Sequence, residues 1–81
     1  MERYFVNTVK KYLKSSIKSE TYVHIADDTL IVDIITNKSL CYRYTLTNLT
    51  EALIYNVSAE IVANEIVTQY KKKILDLYFY E

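Results

Sequence analysis

Thr21-Tyr22-Val23-His24-Ile25-Ala26-Asp27-Asp28-Thr29-Leu30-Ile31-Val32-Asp33-Ile34-Ile35-Thr36 is the stretch whose reading decides the fold. β-Branched and aromatic residues dominate it, and apolar residues recur with period two on either side of an Asp-Asp pair, which predicts strands near residues 21–26 and 30–36. Leu40-Cys41-Tyr42-Arg43-Tyr44-Thr45-Leu46 repeats the pattern and predicts a third strand over 40–46. The chain has no glycine, so its turns fall to Asp and Asn, whose side chains bond their own backbone and tolerate left-handed geometry. Asp27-Asp28 and Asn37-Lys38-Ser39 are the two predicted turns.

Turn length sets which side chains share a face, because a slip of one residue sends every side chain to the other side. A two-residue turn at Asp27-Asp28 places Ile25 opposite Leu30 and Val23 opposite Val32, leaving Tyr22, His24, Ile31 and Asp33 on the reverse face. For the second turn, a two-residue loop would set Arg43 beside Val32 among apolar residues. A three-residue loop pairs Ile34 with Tyr42, Val32 with Tyr44 and Leu30 with Leu46, and puts Asp33 opposite Arg43 as a cross-strand ion pair on the outer face.

Working outward, Phe5, Val9, Leu13 and Ile17 recur every four residues before the strands, with Val6 and Tyr12 widening the stripe. The spacing predicts an amphipathic helix from Glu2 to about Ser16 whose lysines gather where positive charge complements the helix dipole. After the strands, Asn48 followed by Glu51 reads as a capping-box-like start to a short helix carrying Leu49, Ala52, Leu53 and Tyr55 on its stripe. Asn56 takes the left-handed stop usually given to glycine, and Ser58 caps a new helix. Val62, Ile66, Tyr70, Ile74, Leu77 and Tyr78 make one stripe on a helix from Ala59 to about Tyr78, about 30 Å long at 1.5 Å per residue. The predicted class is α+β in a single domain over 1–81: helix, three-stranded antiparallel meander, short helix and long helix, with the helices on one face of the sheet.

Composition excludes several functions. Without glycine or proline there is no phosphate-binding glycine loop and no dinucleotide fingerprint. Ten basic and ten acidic side chains cancel, so the whole chain exerts no pull on nucleic acid or acidic membrane, and no apolar run reaches the roughly 18 residues of a membrane span. The single Cys41 cannot form an internal disulfide, and with no signal-peptide pattern at the N-terminus the expectation is the cytoplasm. His24 and Cys41 are the sole nucleophile and base pair, and the register holds them on outer strands more than about 13 Å apart. No HxxxH, CxxC or calcium-loop spacing occurs, so no metal, cofactor or catalytic residue is expected.

Nine tyrosines are the unusual feature, since this side chain joins an apolar body to a polar tip and suits interfaces. Tyr22 faces outward beside Ile31, and Glu20, Asp27, Asp28 and Asp33 are read as a locally acidic strand end. These six residues form the predicted partner-binding surface. Lys10, Lys14 and Lys71-Lys72-Lys73 offer a surface to nucleic acid, which is not favoured at zero net charge, and a homodimer on the long helix is a third reading.

The helix, meander and helix order is also that of double-stranded RNA-binding domains, whose basic helix-end motif and Gly- and Pro-containing loops are missing here. More closely, the segment Val57-Ser58-Ala59-Glu60-Ile61-Val62-Ala63-Asn64-Glu65-Ile66-Val67, running into Tyr70-Lys71-Lys72-Lys73-Ile74 after a Tyr- and Ile-rich hairpin region, resembles small phage and prophage proteins of low-GC Gram-positive bacteria. That resemblance implies a non-enzymatic inhibitor binding a host protein in the bacterial cytoplasm, most specifically an anti-CRISPR protein occluding an RNA-guided nuclease. One such inhibitor of the type II nuclease has a similar layout and mimics DNA through strong acidity, whereas this chain is neutral.

Overall fold

The computed structural model describes residues 2–36 and 39–79, and the side chains of all of these except 40, 41 and 76–79. Its elements run α1 (Glu2–Ser16), β1 (Glu20–Ala26), β2 (Thr29–Thr36), β3 (Ser39–Leu46), α2 (Leu49–Ile54) and α3 (Ala59–Phe79). The three strands form one antiparallel sheet in the order β1-β2-β3, so the α+β layout read from periodicity is the one observed.

The sheet register follows from burial. Leu30, Val32 and Ile34 of the central strand are fully enclosed, each flanked by Ile25, Val23 and Thr21 on one side and Leu46, Tyr44 and Tyr42 on the other. Phe5, Val9 and Leu13 of α1 and Val62, Ala63, Ile66 and Val67 of α3 complete this single core. A buried aliphatic side chain contributes roughly 1.5–3 kcal/mol, so the inner face of β2 alone outweighs any pairing preference that would slip the strands.

Among the described residues four take positive φ, and all are Asp or Asn: Asp27, Asp28, Asn48 and Asn56. Two successive left-handed residues at Asp27-Asp28 make the tight turn whose twist matches a hairpin. Asn56 stops α2 as expected. The second turn differs from expectation. Thr36 pairs with Ser39, so Ser39 belongs to β3, while the register shifts between Ile34 and Ile35 and passes over Cys41. A bulge restores the alignment that a three-residue loop was expected to give, keeping Arg43 opposite Asp33. Asn37 and Lys38, the rest of that expected loop, lie outside the described residues.

The capping box at Asn48 does not form. Asn48 is left-handed and its side chain caps nothing. Instead Asp28, from the β1-β2 turn, accepts hydrogen bonds from the Thr50 amide at 3.0 Å and the Thr50 hydroxyl at 2.6 Å, and its carbonyl accepts from the Leu49 amide at 2.9 Å. The orphan donors of α2 are satisfied from a distant hairpin. Ser58 does cap α3, accepting from the Ile61 amide at 3.3 Å.

Candidate functional site

One face of the sheet carries the helices; the other is open. Tyr22 stands on the open face, 51% exposed, directly opposite Asp33, with Ile31 and Ile35 half-buried on the same side of β2. The Tyr22 hydroxyl donates to Glu20 Oε2 at 2.7 Å, and this bond to a carboxylate raises the phenol's pKa. Asp33 is only 9% exposed. Arg43 donates to it twice, Nε to Oδ1 at 2.6 Å and Nη2 to Oδ2 at 3.0 Å. Those bonds hold the Asp33 carboxyl below its ordinary value against the opposing effect of burial, and the charges of Arg43 and His24 act in the same direction.

The structure does not gather the four predicted acids into one patch. Glu20 opens β1 and Asp27 follows its end, a separation of about 23 Å at 3.3 Å per residue. Asp33 is neutralised by Arg43 and Asp28 is occupied with α2. Alternation along a strand places residues on faces, but it says nothing about which charges are already used. Of the predicted surface, Tyr22, Ile31, Asp33 and Glu20 share the open face, while Asp27 and Asp28 sit at the turn.

Most of the described tyrosine hydroxyls serve the fold. Tyr42 donates to Gln69 Oε1 at 2.6 Å, Tyr44 to Glu65 Oε2 at 3.5 Å and Tyr12 to Asn64 Oδ1 at 3.3 Å, while Tyr70 and Ser19 share a hydrogen bond at 3.2 Å. Tyr70 meets the Tyr42 ring edge-on at 6.3 Å and Lys73 sits 5.7 Å from the same ring. Burial, reinforced by the Glu65 charge, raises the pKa of both Tyr42 and Tyr44. Tyr12, Tyr42 and Tyr44 reach polar partners on α3 and Tyr70 of α3 reaches Ser19 ahead of β1, so these residues form a seam rather than a contact surface.

Among the described residues the most exposed large apolar side chains lie elsewhere. Tyr55 is 73%, Tyr4 72%, Ile54 69% and Ile61 68% exposed, with Val57 between them. The bonds Tyr55 to Glu51, Asn56 to Leu53 and Val57 to Ala52 fold residues 54–61 into a tight corner between α2 and α3. Tyr4 of α1 reaches it across a cleft of about 480 Å³ that also touches Leu53, Val57 and Glu60. Val57 lines this cleft and also a second one with Tyr55, so the two tyrosines border adjoining hollows, the setting in which exposed apolar side chains serve as contact sites. The expected stripe of the short helix included Tyr55, but α2 ends at Ile54 and Tyr55 turns outward. Six residues are too few for helical period to say which way its last side chains point.

The register carries His24 level with Ile31 and Thr45, while Cys41 lies two strands away and four residues further along, about 16 Å between backbones; the Cys41 side chain is outside the described ones. Among the described residues no three His, Cys, Asp or Glu side chains gather where a metal ion could be held, and no described helix is long and apolar enough to cross a membrane. In comparisons with known proteins, no family model, no curated protein and no solved structure matches the chain.

Proposed function

We propose that this chain is a protein-binding module without catalytic chemistry of its own, acting by covering a surface of a larger partner. The observation that supports this reading is the apolar corner of Tyr4, Ile54, Tyr55, Val57 and Ile61, exposed while most other large apolar side chains among the described residues are enclosed. Aromatic and aliphatic anchors of this kind contribute most of the binding energy of protein interfaces when a pocket encloses them. Tyr22 and Ile31 on the open face offer a second, smaller anchor pair. The resemblance to small phage proteins gives the module its most specific form, an inhibitor that occludes an RNA-guided host nuclease.

The test is cleavage by a purified type II RNA-guided nuclease with and without the chain, paired with complex formation by size exclusion. Inhibition by the wild type, lost in Ile54→Ser/Tyr55→Ser while the circular dichroism spectrum is retained, supports the reading. Full cleavage with no complex overturns the nuclease as target, and inhibition unaffected by that double variant moves the contact to the Tyr22 and Ile31 face.

A further inference from the structure

The two edges of the sheet are finished differently, and the difference defines a second surface. β3 bears the bulge at Cys41. β1 is regular over all seven residues, Glu20 to Ala26, and pairs with β2 alone. Among the described residues no backbone or side-chain group bonds the outer row of β1 amides and carbonyls. An uninterrupted open edge of this kind is a template for a further strand.

A groove of about 550 Å³ runs along the start of that edge, lined by Lys10, Lys14, Lys18, Glu20, Thr21 and Tyr22. Only three residues separate α1 from β1, so the helix doubles back over the strand and holds its lysines above the open edge. Lys10, Lys14 and Lys18 recur every four residues, and none lies within ion-pair distance of a described carboxylate, since the one such pair is Arg43 with Asp33. Among the described residues a chain of zero net charge thus gathers three cations without an ion-pair partner beside a free strand edge.

We propose that this groove receives an acidic, extended segment of a partner protein, which adds to the free edge of β1 as a fourth strand with alternate carboxylates facing Lys10, Lys14 and Lys18. Spacing supports the match: Lys10 and Lys14 are one helical turn apart, about 6 Å along the axis, and alternate residues of an extended chain are about 6.6 Å apart. The intervening side chains of the added strand fall on the open face beside Tyr22. A nucleic-acid strand meets the lysines but supplies no peptide ladder for the edge; a polypeptide satisfies both, as in other strand-addition complexes. The groove lies on the flank of α1 opposite the one that meets α3 through Tyr12 and Asn64, so this inference is independent of the apolar corner.

The experiment titrates the whole chain with three probes: a peptide of alternating Glu and Thr, the same peptide N-methylated at every backbone nitrogen, and single-stranded oligo-thymidine, reading amide hydrogen exchange and chemical shifts. Binding of the Glu-Thr peptide is expected to protect outer-row amides of β1 but not of β3, and to weaken at least about tenfold in Lys10→Glu/Lys14→Glu/Lys18→Glu, whose altered side chains border solvent. The N-methylated peptide keeps the charge but has no backbone donor for a ladder, and is expected to bind at least about tenfold more weakly. Equal binding of the two peptides, protection on β3 instead of β1, tighter binding of oligo-thymidine, or no binding of the Glu-Thr peptide each overturns the proposal.

Discussion

The inner face of β3 is tied to a helix through tyrosine hydroxyls, and the regular edge of β1 is left open. Along β3 the half-buried Tyr42 and Tyr44 send hydroxyls to Gln69 and Glu65 of α3, Tyr70 and Lys73 pack against Tyr42, and a bulge breaks the strand's outer row. Along β1 the matching inner positions carry Val23 and Thr21, while Tyr22 lies half-exposed on the open face, bonded to its neighbour Glu20 and beside a groove lined by lysines. The same residue type therefore does opposite work on two strands of one sheet. Its role depends on which face alternation assigns it and on whether a helix stands over that face.

Truncation exposes the contrast most strongly. Tyr42→Ala removes a ring from the core edge together with its partners on α3 and is expected to cost about 2–3 kcal/mol in urea denaturation. Tyr22→Ala, on the open face, is expected to leave the midpoint nearly unchanged. Equal losses at the two positions would break the distinction between the two strands.

A smaller effect is expected at the far end of the open edge, where the β1-β2 turn holds α2. Asp28→Ala loses the acceptor for Thr50 and leaves alanine in a left-handed conformation, an expected cost of about 2 kcal/mol. Asp27→Ala meets the same backbone demand without the cap, about 1 kcal/mol. Thermal melts of the two variants separate the terms; identical midpoints would mean that the hairpin contributes nothing to α2.

The smallest effect sharpens the β3 side. Burial and Glu65 keep the phenols of Tyr42 and Tyr44 above their ordinary pKa, so their contribution to stability is fully present below the unfolded value of about 10 and is lost as pH rises through the raised folded values. Tyr42→Phe/Tyr44→Phe is expected to lose about 1 kcal/mol at neutral pH and to lose less stability than wild type between about pH 9 and 11. Melts across that range, with phenolate absorbance at 295 nm as the titration readout, check it. Identical alkaline arms would show that the seam is packing alone.

The strand faces of β1, of β2 and of β3 from Tyr42 to Leu46 were legible in the sequence, because one buried face with period two leaves a single register that keeps Arg43 out of the core; the bulge that pairs Leu40 with Ile35 was not. The absence of glycine made the left-handed positions legible too, at Asp27-Asp28 and at Asn56. Asn48 was readable as a special residue but not as a left-handed one. Its role as a cap went to Asp28, some twenty residues earlier in the chain, and no local pattern records that pairing.

What the sequence by itself determined is the order of elements, the inner and outer faces of the sheet and the Asp33-Arg43 pair, since these follow from periodicity and from the cost of burying an unpaired charge. Only the tertiary structure decided that Glu20 and Asp27 stand at opposite ends of β1, that Tyr42 and Tyr44 are held by α3 while Tyr55 turns outward, and that three lysines of the α1 side overlook a free strand edge. Each of these depends on where a helix crosses the sheet. That position is set by the summed packing of side chains far apart in the chain, and such a sum leaves no mark on any one stretch of sequence.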